Sequence, residues 1–253
     1  SSCTKGYASC PKKAKGFCFS PRYDEDIDAI VMDRIPCEYL RNKEKTLNNI
    51  FPCDVAYDTI YDQSSLLLKQ IQMRKTPSQL KDCEILVNEI LLRCRDFSSE
   101  KKNRGILFYS QSAPLLPRRL LMFASYLFAS KGKKVSYIQL HSLFKCLKDK
   151  DFQVSQMARR DLSLLLSSEV LCLENINLFE RRFFTEEDLL QYLYPLIQSR
   201  NQNGKITFAC LSQDKTASSL ANSWFYKMDQ QTSARESMES IFEKKRIKDI
   251  SLD

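Results

Sequence analysis

From Gly105 onward, short apolar runs alternate with helix-patterned segments. That alternation constrains the fold more than any other feature of the chain. Gly105–Tyr109, 134–140, 169–173 and 205–211 are five to seven residues long and predominantly apolar. Strands buried on both faces read this way. Between them lie helical patterns over Leu115–Ser130 and, more briefly, 143–148. Another starts at Thr185, where Asp188 three residues on completes a capping arrangement and Leu189, Leu190, Leu193, Leu196 and Ile197 follow at helical spacing. Ser233 with Glu236 opens a predicted last helix over 234–245. Strands separated by helices pair in parallel, so this part of the chain is expected to be an α/β domain.

The residues ahead of it divide in two. Residues 1–40 carry four cysteines, Cys3, Cys10, Cys18 and Cys37, with turn formers and an alternating stretch, Ile27–Ile35. Residues 41–104 are polar and helix-prone. They are broken at Phe51-Pro52 and Thr76-Pro77, and a helix is predicted over 80–94 on apolar Leu80, Cys83, Leu86, Val87, Ile90, Leu91 and Cys94. The expected organisation is therefore a Cys-rich module (1–40), a helical connecting region (41–104) and an α/β domain (105–253).

Hydrophobic residues at 43% and charged residues at 28% exclude a disordered chain. The longest uncharged apolar run, 120–130, is too short to span a bilayer, and no secretory signal is visible. Cysteines in such a chain are expected to be reduced and the protein cytoplasmic. Cys172 and Cys210, inside apolar runs, then act as small hydrophobes. The four N-terminal cysteines suggest a structural zinc site, which wants four soft ligands. Their spacings, six, seven and eighteen intervening residues, lack a Cys-x-x-Cys knuckle, so a set of unrelated buried thiols is the competing reading. The net charge of +8 suits nucleic acid or an acidic partner. The aromatics Phe17, Phe19 and Tyr23 beside Lys12, Lys13, Lys15 and Arg22 allow base stacking and phosphate contact, although small modules also bury such rings in their own cores.

The stretch Cys10-Pro-Lys-Lys-Ala-Lys-Gly16-Phe-Cys-Phe-Ser-Pro21, followed by Ile35-Pro36-Cys37-Glu-Tyr39, resembles the N-terminal zinc module of DnaI-type primosomal proteins. The resemblance implies zinc held by Cys3, Cys10 and Cys37, with the fourth ligand either Cys18 or a cysteine preceding residue 1. It also implies docking of this module on the replicative DNA helicase. Collinear with it, residues 105–250 are similar to the DnaI/DnaC branch of the AAA+ ATPases. That similarity implies a parallel sheet with a nucleotide site at its edge, and contacts with other primosome proteins or single-stranded DNA.

The residues expected to bind nucleotide are altered at every part. Where the family has a Walker A loop, GxxxxGK then Ser or Thr, this chain reads Ser110-Gln-Ser-Ala113-Pro-Leu115-Leu116-Pro117. Phosphate-cradling loops need glycine's permissive backbone, a lysine on the phosphates and a hydroxyl on Mg²⁺. Leu116 stands at the lysine position, Pro117 at the hydroxyl position, and the chain has only 5 glycines in all. The Walker B acids are Glu174 and Asn175, and an amide is no general base. The first sensor position holds Ser212. The second holds Glu236, with Arg235 one residue away. Arg118 and Arg119, at the predicted helix start, are positioned to attract an anion but read more simply as solvated basic surface. The expected function is an ATP-independent, zinc-containing helicase-loader adaptor. The alternatives are a single-stranded nucleic-acid-binding zinc protein and a residual ATPase.

Overall fold

The computed structural model describes residues 17–72, 78–97, 105–110, 115–174, 189–210 and 242–247. The chain divides into two compact units, 1–48 and 49–253.

In the first unit, β1 (Phe17–Asp24) and β2 (Ala29–Pro36) form an antiparallel hairpin with Tyr23 opposite Ile30 and Pro21 opposite Met32. Asp28 closes the turn in the left-handed region (φ 51°), which Asp tolerates better than most residues. Arg22 Nη2 pairs with Asp24 Oδ2 at 3.0 Å, and the Tyr23 hydroxyl donates to Asp28. Helix α1 (Glu38–Leu47) follows, with buried Cys37 as its N-cap. The Cys37 carbonyl accepts the Arg41 N–H at 2.9 Å.

The second unit is a six-stranded sheet in which every neighbouring pair is parallel. Its strands are β3 (Ile50–Cys53), β4 (Gly105–Ser110), β5 (Val135–Gln139), β6 (Val170–Glu174), β7 (Ile206–Cys210) and β8 (Phe242–Ile247), in the spatial order β3-β5-β6-β7-β4-β8. The helices are α2 (Tyr57–Gln72), α3 (Ser78–Arg95), α4 (Leu115–Ser130), α5 (Leu140–Leu147), α6 (Phe152–Ser167) and α7 (Tyr194–Gln202). The four predicted strands and the helix over 115–130 all form. Their apolar runs are continuous because the sheet is covered on both faces.

Strand periodicity sorts the core into two layers. Leu107, Ile138, Leu171, Leu173 and Ala209 pack with Leu143 and Phe144 of α5, Leu165 of α6 and Leu196 and Ile197 of α7. The alternate residues lie on the side of α4, where the Phe128 ring sits 5.6 Å from that of Phe208. Helix α4 is buried nearly all round, because α2 and α3 pack on the side away from the sheet. Cys172 and Cys210 are buried, as small hydrophobes should be.

Three predicted elements differ. The stretch 41–104 holds helices, but it also supplies β3, which pairs with β5 at Ile50 and Cys53, on either side of a cis Phe51-Pro52 peptide. A proline is admitted there because β3 is an edge strand. Residues 242–245, expected to end a helix, lie in β8. There they pair with β4 and cover backbone groups that would otherwise be an open sheet edge. Their charges suit an edge strand as well as a helix surface. Near 190 the helical pattern is realised as a π-helical turn, Leu189–Leu193, running into α7, which carries Pro195 in its first turn. The wider turn precedes the one residue that cannot donate back along the helix. Thr185 and Asp188 lie outside the described residues, as does 234–241.

Candidate functional site at the carboxyl end of the sheet

In open parallel sheets, ligands bind beyond the carboxyl ends of the strands. Here that edge is built by β3, β5, β6 and the start of α4. Strand alternation turns Tyr137 and Gln139 of β5 and Glu174 of β6 toward α4, and Gln139 lies opposite Glu174 in the ladder.

Glu174 is 1% exposed. A carboxylate so buried must be compensated by hydrogen bonds or opposite charge. Three side chains do this. The Tyr137 hydroxyl donates to Glu174 Oε2 at 2.6 Å, Gln139 Nε2 approaches Oε1 at 3.4 Å, and Arg118 Nε lies 2.8 Å from Oε1. The Arg118 N–H is not aligned on the oxygen, so this last contact is a close charge pair and not a directed hydrogen bond. Burial, reinforced by the charges of Cys210 and Glu174, pushes the Tyr137 phenol well above its ordinary value, which keeps it a neutral donor.

Asp54, just beyond β3, extends the cluster. Its backbone N–H donates to the Tyr137 carbonyl at 3.0 Å, and its carboxylate accepts the Gln139 N–H at 2.8 Å. Burial pushes its carboxyl up, while the Gln139 hydrogen bond opposes the shift. Beside it, a cleft of about 280 Å³ runs between α5 and α6 to Asp161, whose carboxyl burial also raises. Cys53 is pushed up to about 11, chiefly by burial, so it remains a thiol.

Three of the residues expected at a Walker A loop, Ser110, Leu116 and Pro117, are buried. Leu116 is 8% exposed and Pro117 is buried, both in the first turn of α4. A proline is free there because first-turn N–H groups have no intrahelical acceptor. Ser110 is buried at the end of β4, and Leu115 is exposed. Ala113, Asn175 and Ser212 lie outside the described residues. A magnesium nucleotide requires an ammonium on its phosphates and a carboxylate open to the metal. Leu116, the residue expected at the lysine position, is buried, and Glu174 is already engaged on both oxygens, so these residues do not fit that group.

Arg118 and Arg119 are not free basic surface. Arg118 faces Glu174, and Arg119 donates to Gln63 Oε1 at 2.9 Å and Gln70 Oε1 at 3.1 Å, joining α4 to α2. Tyr137, Gln139 and Asp54 were not singled out by sequence. Only the alternation of β5 against β6 pointed toward the first two. Of the four expected zinc ligands, Cys3 and Cys10 lie outside the described residues, and Cys18 is described only as backbone of β1. Cys37 stands at the start of α1. Among the described residues, no group of three His, Cys, Asp or Glu side chains is placed to hold a metal ion. No described helix is long and apolar enough to cross a membrane.

The sheet order, with α4 following β4 and an acid at the end of β6, defines an open α/β fold on a parallel sheet. Among solved structures, the chain is similar to a candidate primosome component from Streptococcus pyogenes serotype M3, at 13% identity and a TM-score of 0.57, with 81% of this chain covering 95% of that one. It is also similar to DnaI, at 15% identity and a TM-score of 0.53, with 68% of this chain covering 86% of that one. No protein-family model and no curated protein sequence matches the chain.

Proposed function

We propose that the protein is a helicase-loader-like replication factor. It binds the replicative DNA helicase through its N-terminal unit and acts in primosome assembly, in the cytoplasm, without turning over ATP. The observation that carries this reading is the β1–β2 hairpin. Tyr23, Ile30 and Met32 are 56%, 70% and 57% exposed, on one face by the pairing register. A run of large exposed apolar side chains on so small a unit suits a protein contact. It sits on a chain whose fold is similar to that of a candidate primosome component and of DnaI. Zinc, held by Cys3, Cys10 and Cys37 with Cys18 as the candidate fourth ligand, would close the same unit. Four cysteine thiolates in tetrahedral array suit that role. The engaged Glu174 and buried Leu116 support an adaptor over an ATPase.

The test is to mix purified protein with the replicative helicase of its host, without nucleotide, and weigh the products by light scattering after size exclusion. A discrete complex, lost on Ile30→Asp with Met32→Asp, is expected. No complex from protein shown to contain zinc would overturn the reading. Salt-sensitive binding of single-stranded DNA by the protein alone would then favour the nucleic-acid alternative.

A further inference from the structure

Helices α3 and α4 run side by side in the same direction. Their first halves adjoin, where the Arg119 charge reaches Cys83, and their ends adjoin, where the Phe97 ring just beyond α3 lies 5.7 Å from that of Phe128. Between their last turns lies an open groove of about 700 Å³. Leu91 and Leu92 of α3 and Leu127 of α4 line it, and the first two are 41% and 48% exposed. Asn88, Leu91, Leu92 and Arg95 stand at i, i+3, i+4 and i+7, which sets them on one face of α3. Ile85, 58% exposed, continues that face toward the helix start. From Ile85 to Arg95 the face is roughly 15 Å long, about three helical turns.

The charge on this groove has one sign. Arg95 and Lys131 stand at the end where both helices finish, and no acidic residue lines the groove among the described residues. Arg95 makes an exposed pair with Asp96 at 3.3 Å, whereas the Lys131 ammonium makes no ion pair among the described residues. Burial pushes the Cys94 thiol in the groove upward, and the charges that reach it, those of Lys131 and Lys133, oppose that push. An aliphatic groove closed by cations at one end suits an apolar segment with carboxylates at one end. Helix geometry settles the shape and direction of that segment. A row of side chains at this spacing beside a second helix is the surface into which a third helix packs. Because α3 and α4 end together, the negative ends of their dipoles add there, and a third helix running the other way sets its positive amino end against them. The acids that favour a helix's first turn then meet Arg95 and Lys131.

We propose that the α3–α4 groove is the docking site for an acidic amphipathic helix of a partner protein, laid antiparallel to both helices with its first-turn carboxylates against Arg95 and Lys131. A second copy of the chain fits less well, since a net charge of +8 opposes self-association. The groove lies wholly within the sheet-bearing unit, so it stands whether or not the hairpin binds a helicase.

The probe is a synthetic fluorescein-labelled peptide of about 15 residues, long enough to hold a helix, with leucines at the same spacing and glutamates in its first turn. Its binding to the full-length protein is followed by anisotropy. Its position is read from the rate at which iodoacetamide alkylates Cys94, by peptide mass. Saturable binding that slows Cys94 alkylation several-fold is expected. Leu92→Asp, at an exposed position, should weaken binding roughly tenfold or more, the loss of one buried leucine. Arg95→Glu with Lys131→Glu should make the protein prefer a probe whose glutamates are replaced by lysines, an exchange that isolates the groove from the charge of the whole chain. Circular dichroism checks that each variant is folded. The proposal is overturned if the probe does not bind, if a scrambled probe of the same composition binds as well, or if binding is indifferent to Leu92→Asp and to the charge exchange. It is equally overturned if light scattering finds the protein alone dimeric and Leu92→Asp makes it monomeric, because the face would then belong to a second copy. No helicase is present, so each result leaves the loader reading to its own test.

Discussion

Arg118 and Arg200 hold a positive charge at opposite ends of the same sheet by opposite means. Arg200, from α7, is 1% exposed at the amino ends of β6 and β7. Its described partners are neutral. Nη1 donates to the carbonyls of Leu165 and Ser168, the latter at 2.8 Å, Nη2 to that of Ile206 at 2.7 Å, and Nε to Thr207 Oγ1 at 3.1 Å. Two of these acceptors lie at the carboxyl end of α6, where unpaired carbonyls carry the negative end of the helix dipole. Burial pushes the guanidinium down to about 10, which still leaves it protonated near neutral pH. Arg118 is more exposed and faces one fully charged partner. Arg200 ties the carboxyl end of α6 to the amino end of β7. Arg118 faces the buried carboxylate of Glu174. The amino end of this sheet is tied by hydrogen bonds to backbone carbonyls, and the carboxyl end sets one buried acid against one cation.

Substitutions should separate the two. Arg200→Met is expected to have the largest effect, roughly 3 kcal/mol or more by urea denaturation, because each buried group left unpaired costs about 1–3 kcal/mol. Arg200→Lys should recover little of it, since an ammonium cannot span acceptors fanned around a planar fork. A loss near zero for Arg200→Met would break the comparison at its stronger side. Tyr137→Phe comes next, at about 1–2 kcal/mol, since it removes the shortest hydrogen bond to a buried carboxylate. Arg118→Ala in an otherwise native chain should cost roughly 1 kcal/mol or less, because its guanidinium is partly exposed and screened. Its cost should shrink further in a Glu174→Gln background, and a double-mutant cycle reads that coupling.

The smallest effect concerns acid. Burial raises the Glu169 carboxyl, but the Lys134 N–H and the Lys133 ammonium at 3.0 Å outweigh it and leave its value below the ordinary 4.5. A carboxyl lowered on folding contributes stability above its unfolded value and loses it as pH falls through the folded one. Glu169→Gln should therefore flatten the stability profile below about pH 4.5 by roughly 0.5 kcal/mol, as suits a half-exposed pair.

The sequence made one half of this comparison easier to anticipate than the other. Strands β4 to β7 were legible because parallel burial writes them as uninterrupted apolar runs. Glu174 was legible as the acid ending one of those runs. Strand β3 was not, since four residues interrupted by Pro52 read as a break. Strand β8 was not either, since the charges of an edge strand resemble those of a helix surface. Both arginines were opaque for one reason. A charge in a helix pattern reads as solvent-facing, and its true partner is set by the sheet. Glu174 is 56 residues from Arg118 in sequence, and the carbonyl of Leu165 is 35 from Arg200.

The measurement that bears most directly on the central claim is calorimetric titration of magnesium ATP into the wild-type protein. With Leu116 in the core and Arg118 against Glu174, the account predicts no saturable heat at any nucleotide concentration found in a cell. Saturable binding that vanishes on Glu174→Gln would contradict it, because the carboxylate would then be serving a metal and not its own arginine.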